Sequence, residues 1–252
     1  MSFLTTKWEG LLLHHSPTSL EFYGTLIMQL IFFWGISAIY VALPYLSPAF
    51  SSRHKLQNQG KQPKPSELWD CFLIVARNQS ISTLLHIGIL TLGRHSGRPP
   101  SHRFDPVLPS ASEIIRDLAV GCVLREVMFY YTHRMFHHPS LYPLIHKRHH
   151  RFTAPVALAA QYASVTEHIL ANILPISLPL MIMHSHIVTF WLFLALELVE
   201  TTTVHSGYDF FARSAQRHDL HHERFVVNFG TIGLLDWVHG TSRGKEAKEK
   251  ES

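Results

Sequence analysis

Residues 22–43 read FYGTLIMQLIFFWGISAIYVAL, 22 consecutive positions without a formally charged side chain. As a helix, such a run is long enough to cross a hydrocarbon core of ~30 Å. It is long, starts late and lacks a small-residue cleavage pattern, so it reads as a membrane anchor rather than a leader peptide. Outward from it, Ser51–Pro65 carries Lys, Arg, Gln and Pro and reads as a surface linker. Trp69–Leu92 is apolar again but is interrupted by Arg77, Asn78 and Gln79, which suits either one broken helix or a helix followed by a second membrane segment. Gly93–Pro109 is a Gly/Pro/Arg/His loop. From Glu113 to Tyr131 apolar residues recur at Ile114, Leu118, Cys122, Val123 and Val127, with Arg116, Asp117, Arg125 and Glu126 on other faces, and this period predicts a helix. Ile169–Leu196 holds no Asp, Glu, Lys or Arg, and Pro175, Pro179, His184 and His186 near its middle predict two shorter membrane helices joined by a bend. The Lys/Glu-rich end from Ser242 reads as a disordered charged tail.

Composition agrees with a chain that is only partly in lipid. Hydrophobic types make up 46% of the 252 residues and charged types 16%, while the mean hydropathy is barely positive. A membrane-embedded base carrying a polar, water-facing part satisfies both facts. The formal charge is +4, with no basic run long enough to grip nucleic acid, so the excess suits anionic lipid headgroups. Cys71 and Cys122 adjoin or lie within apolar stretches and read as reduced packing residues rather than a disulfide or metal pair.

Histidine is the outlier, at 20 residues. Residues 133–150, HRMFHHPSLYPLIHKRHH, hold six of them. Helical positions three or four apart share a face, so His133 and His137 can point together, as can His146, His149 and His150. A third group, His218, His221 and His222 in RHDLHH, repeats the spacing of HKRHH. Imidazoles this dense would repel one another if protonated and would waste hydrogen-bonding capacity if buried; coordinating metal removes both objections. The competing reading is a set of solvated or core histidines, against which stands the repeated His-x-x-His-His spacing. By ligand type alone, imidazoles suit zinc, iron, copper and nickel. Eight or more ligands exceed what one ion needs, so two metals are implied. Zinc is redox-silent and a catalytic zinc takes three protein ligands, which makes a pair of irons the better partner for oxidative chemistry, although zinc can displace ferrous iron in a purified sample.

At these clusters the sequence resembles the fatty acid hydroxylase superfamily, the membrane di-iron proteins that include methylsterol monooxygenases, sterol desaturases and sphingolipid hydroxylases. The likeness runs from about Glu126 to Thr241 and is strongest in YYTHRMFHHPSLYPLIHKRHHRFTAPVALAAQYAS. HSGYDF and RHDLHHERFVVNFG resemble motifs of methylsterol monooxygenases, and NFGTIGLLDWVHGT resembles a branch named for its fatty acid hydroxylase domain. The resemblance implies an all-α, integral-membrane helical bundle with a cytosolic, histidine-rich di-metal cap. It divides the chain into an N-terminal membrane-anchoring region (1–112), a fatty acid hydroxylase-type catalytic region (113–241) and the tail (242–252). Carried over by motif, the metal ligands fall on His133, His137, His146, His149, His150, His205, His218, His221 and His222. His138 follows His137 and points away from it. His168 is either a supporting group or a packed histidine. His14, His15, His54, His86, His95, His102, His184, His186 and His239 have no partner at ligand spacing and read as ordinary residues. Glu126, seven residues before His133, is placed to accept a ring N–H and fix a tautomer, as are Asp209 and Asp219, with helix-face or capping carboxylates as the plainer reading.

The activity implied is that of an iron-dependent lipid monooxygenase or desaturase: two Fe ions use O2 to hydroxylate a sterol or sterol-like lipid or to oxidise its methyl group. A fatty-acyl or sphingolipid hydroxylase or desaturase is the alternative, and a non-catalytic metal-binding membrane protein the alternative of another class. Electrons come from a cytochrome b5-type donor with an NADH-dependent reductase, since no flavin or nicotinamide fingerprint is present. Lys147, Arg148, Arg151 and Arg217 put the histidine side in the cytosol and offer a surface for an acidic donor. Multi-pass residence in the endoplasmic reticulum membrane is expected, with Lys248 and Lys250 resembling a dilysine retrieval signal.

Overall fold

Prolines and small polar caps set where the helices start. In the computed structural model, which describes residues 3–57, 62–210 and 213–244, the first helix, α1, is Phe3–His14. Pro17, Pro48 and Pro65 stand in the first turns of α2 (Pro17–Leu46), α3 (Pro48–His54) and α4 (Pro65–His95), where a missing N–H costs nothing. Ser110 caps α5 (Ala111–Phe136) by accepting from Glu113 N at 3.2 Å. After the short α6 (Tyr142–Ile145) come α7 (Val165–Ile182) and α8 (Ile187–Val204), then α9 (Ser214–Arg224) and α10 (Leu234–Val238). Among the described residues there is no strand, only the isolated bridges Lys55–Tyr208 and Arg103–His186.

Four of these helices, α2, α4, α7 and α8, are long and apolar enough to cross a membrane. The protein is an integral-membrane helical bundle. α4 runs unbroken through Arg77–Asn78–Gln79, so the stretch is neither the broken helix nor the helix followed by a second segment that its polar residues suggested. Its polar residues turn inward: buried Asn78 donates to the carbonyls of Gln161 and Ala163, both at 3.1 Å. α7 and α8 meet at the turn Met183–His186, the bend that the prolines and histidines predicted. α8 is central and packs against α2, α5, α7 and α9. In lipid, helices associate through close packing and polar contacts rather than through the hydrophobic effect. Gly24 of α2 shows the first, since its Cα lies against the Trp191 indole of α8 with no room for a Cβ. Tyr40 OH and Thr203 Oγ1, 3.0 Å apart, show the second.

The stretch Ser51–Pro65 is more than the surface linker expected. Ser51 Oγ and Tyr208 OH lie 2.5 Å apart, Lys55 Nζ donates to Ser206 O at 3.2 Å, and Leu56 N donates to Gly207 O at 2.9 Å. Through Ser51, Lys55 and Leu56 the stretch pins the turn that follows α8, while Ser52, Arg53 and His54 stay exposed. Cys71 and Cys122 are both free.

Candidate metal centre

Nine histidines gather at one end of the bundle, in two groups. His133, His137, His146, His150 and His221 form one; His149, His205, His218 and His222 form the other; within each group one ring nitrogen per residue lies within 4.8 Å of all the rest. Helical spacing explains the division. His133 and His137 end α5 four residues apart, His146 and His150 are four apart on the next turns, and His218 and His222 are four apart on α9, so each such pair shares a group. Adjacent residues on a helix point about 100° apart. Adjacency separates His149 from His150 and His221 from His222, and the fold also puts His149 and His221 in the opposite group from His146 and His218, three residues before each. The expectation that His146, His149 and His150 point together is corrected on this ground.

The hydrogen bonds on the far sides of the rings fix four tautomers. His133 Nδ1 donates to Phe229 O at 2.7 Å, His221 Nδ1 to Val227 O at 2.7 Å, His205 Nδ1 to Thr201 O at 2.8 Å, and His146 Nδ1 to Glu167 Oε1 at 2.6 Å. A neutral imidazole with its proton on Nδ1 has a bare lone pair on Nε2. The inward nitrogens are all Nε2, and His133 and His146 bring theirs to 3.1 Å. With the proton of each ring on Nδ1 the two lone pairs repel at that distance, and a cation held by both removes the conflict. His218 Nε2 lies 2.8 Å from His205 Nε2 and 2.9 Å from His222 Nε2, so the second group converges in the same way.

The donor set also has the protonation state that a metal requires. Burial pushes the His133 and His205 rings down to about 4 from 6.5, and burial together with the neighbouring histidines holds His146, His149, His218, His221 and His222 well below it. Neutral rings are ligands; imidazolium ions are not. By ligand chemistry, number and protonation, these residues fit two divalent transition metals.

Supporting groups stand where the sequence gave little sign of them. Glu167, buried at the start of α7, holds His146, and no motif links the two residues. Glu126 does not accept a ring N–H as proposed. Its two oxygens take the N–H groups of Thr231, Ile232 and Leu235 and the Thr231 hydroxyl, at 2.7–3.0 Å. Asp236 accepts from Phe229 N at 2.8 Å and Gly230 N at 2.9 Å. These two buried carboxylates fix the loop whose carbonyls, at Val227 and Phe229, orient His221 and His133. They act on the ligands through the backbone. Asp219 accepts from Gln57 Nε2 at 2.6 Å.

His138 turns outward to Ser140, with Nδ1 2.8 Å from its Oγ. His168 is bonded on both nitrogens, to Ser82 at 2.9 Å and Asn172 at 3.2 Å. Arg151 is tied to Asp70 and Tyr162, whereas Lys147 and Arg148 are exposed.

His133, His149, His205 and His218 open onto a cavity of about 1190 Å³ that continues between α2, α4, α7 and α8 toward the opposite end of the bundle. A lipid-sized apolar ligand has room in it beside the histidines.

Comparison with known proteins agrees with this geometry. The fatty acid hydroxylase family matches residues 118–241. Fatty acid hydroxylase domain-containing protein 2 of Homo sapiens is 33% identical over 244 residues, covering 95% of this chain and 72% of that protein. Fatty acid hydroxylase ahd1 of Mycosarcoma maydis is 31% identical over 207 residues, 81% of this chain and 53% of that one. Methylsterol monooxygenase 1-1 of Arabidopsis thaliana is 29% identical over 270 residues, 97% and 87% of the two chains. No solved structure matches.

Proposed function

The chain belongs to the fatty acid hydroxylase family, and from that premise we propose that it is a di-iron, O2-dependent oxygenase that hydroxylates a sterol or sterol-like lipid or oxidises its methyl group. The observation that carries this reading is the pair of histidine groups with converging Nε2 atoms at the head of a cavity between membrane helices. The nine histidines are the ligands proposed. Bound there, two ferrous ions would supply the activation of O2 and the removal of hydrogen from an unactivated C–H bond.

The chain's own part is placement and exclusion. Phe229, Val227 and Thr201 carbonyls and the Glu167 carboxylate bond Nδ1 of His133, His221, His205 and His146, which keeps the Nε2 atoms of these four rings aimed inward. Phe129, Leu198 and Val204 wall the cavity next to the histidines and keep water from the reacting carbon. Insertion of one oxygen atom consumes O2, two electrons and two protons and releases water. The exposure of Lys147 and Arg148 supports docking of an acidic cytochrome b5-type electron donor in the cytosol, with its NADH-dependent reductase. Residence in the endoplasmic reticulum belongs to the same reading; Lys248 and Lys250 lie outside the described residues.

A rigid polycyclic substrate presents one methyl group through shape alone, whereas a flexible acyl chain loses more conformational entropy on being fixed. The greater identity to the fatty acid hydroxylase domain protein, 33% against 29% for the methylsterol monooxygenase, favours an acyl or sphingolipid substrate as the second reading. Microsomes with the protein, NADH and O2, offered a methylated sterol or a ceramide, decide between them. A sterol product heavier by one oxygen is expected, and turnover of the ceramide alone reverses the order. Lipid profiling after deletion of the protein then names the precursor that accumulates.

A further inference from the structure

Membrane helices that face only hydrocarbon need no polar stripe, yet three helices turn one into this cavity. On α2 it is Thr18, Glu21, Thr25 and Gln29, spaced three or four apart; on α4 it is Gln79, Ser82, Thr83 and His86; on α7 it is His168 and Asn172. The facing wall on α8 is largely apolar, with Phe190, Leu194 and Leu198.

Most of these polar groups have partners within the protein. Gln79 Nε2 donates to Gln29 Oε1 at 3.1 Å and also to Gln161 Oε1. Ser82 and Thr83 donate to carbonyls of their own helix at 2.9 and 2.8 Å. The end of the cavity remote from the metal centre is different. Glu21 is 8% exposed; His86 Nε2 lies 3.6 Å from its carboxylate, beyond hydrogen-bond reach, and His102 lines the same end of the cavity. Thr25 Oγ1, one turn along the same face, is buried without a partner. An ionisable residue inside a membrane segment is costly and marks a functional position, and a buried polar group without a partner forfeits the full cost of its desolvation.

We propose that Glu21, Thr25 and His86 form a recognition site for the hydroxyl group of a neutral lipid, which lies with its hydroxyl there and its apolar end at the histidines. A hydroxyl donates to the Glu21 carboxylate and accepts from Thr25 or His86, so one small group satisfies the whole cluster. A lipid carboxylate is a poor fit, because two carboxylates sharing one site cannot both ionise. Phe190 and His205 bound the cavity on the α8 side, fifteen residues and about 22 Å of helical rise apart. The carbon that reaches the metals therefore belongs to the end of the lipid remote from its hydroxyl. This last step rests on the oxygenase reading; the hydroxyl site does not.

Photo-crosslinking of the full-length protein in phosphatidylcholine nanodiscs tests the proposal. The probes are a sterol with a diazirine in its hydroxyl-bearing ring, the same sterol with the diazirine at the end of its side chain, and a long-chain fatty acid with a diazirine beside its carboxyl. The ring probe is expected to label peptides of Pro17–Met28 and of α4 around His86, and the side-chain probe those around Thr201 and His205. Glu21→Gln and the near-isosteric Thr25→Val are each expected to reduce ring-probe labelling about tenfold, the weight of one good hydrogen bond, with unchanged metal content. Reversed labelling overturns the orientation. Labelling unaffected by either variant overturns the site, and so does labelling of the remote end by none of the probes. Stronger labelling there by the fatty acid overturns the choice of a neutral hydroxyl. A wild-type protein that labels as expected but holds no metal would sink the oxygenase reading and leave the hydroxyl site standing.

Discussion

His149 and His150 are neighbours in the chain and belong to different groups, as do His221 and His222. This gives single substitutions a specific outcome. His221→Ala removes a nitrogen from the five-histidine group and His149→Ala one from the four-histidine group, so each is expected to lower bound metal from two ions toward one, measured by elemental analysis of the purified protein. A folded wild-type sample without metal would end the di-metal reading, whereas zinc in it would not. Glu167→Gln keeps an acceptor for His146 but removes the charge. It is expected to weaken metal binding about 10–100-fold at the five-histidine group alone, read by titration against a chelator. Six of the nine candidate histidines were legible from the repeated His-x-x-His-His spacing, and His133 and His137 from their four-residue helical spacing, whereas His205 came only from the family resemblance. Their division between two groups was not legible, since adjacent letters do not reveal which way each ring turns. Glu167 was invisible for another reason: it is 21 residues from His146, and only the fold brings the two together.

Helices were the most legible elements, because apolar length and period are written directly in the chain. The bend between α7 and α8 followed from its prolines and histidines, while α4 was ambiguous because Asn78 could equally break a helix or bond a neighbour. Ser51–Pro65 read as a surface linker, and the inward bonds of Ser51 and Lys55 were not legible, because polarity does not say whether a side chain faces water or another loop. That segment holds the turn after His205, so Tyr208→Phe, which removes the bond to Ser51, is expected to cost about 1 kcal/mol of stability and to weaken metal binding at the four-histidine group only. Equal weakening at both groups would refute the local account. Gly24→Val drives a side chain into the Trp191 indole and is expected to cost about 1–3 kcal/mol by overpacking, seen as a lower Tm in detergent with metal content retained.

The whole molecule carries a pH dependence of definite sign. His133 and His205 are neutral in the fold down to about 4, against 6.5 for an exposed ring, so below 6.5 the unfolded chain binds more protons than the folded one. The stability that these two rings contribute to the metal-free protein is therefore complete above about pH 6.5 and drains away as pH falls toward 4. Its Tm at pH 5 is expected to lie below that at pH 7.5, and metal loading is expected to move the decline to lower pH, because bound rings cannot take up protons until the metal leaves. Equal Tm values at the two pH values would contradict the burial argument. The length of the cavity has a consequence for where the reaction draws its material. With Pro17, Arg98 and His102 lining one end and His205 and His218 the other, the space belongs to neither leaflet of the bilayer. In the proposed orientation a lipid stretched along it would cross the midplane, with its hydroxyl at one face of the membrane and the oxidised carbon at the other. On that proposal the output would follow lipid asymmetry between the leaflets as well as total lipid abundance.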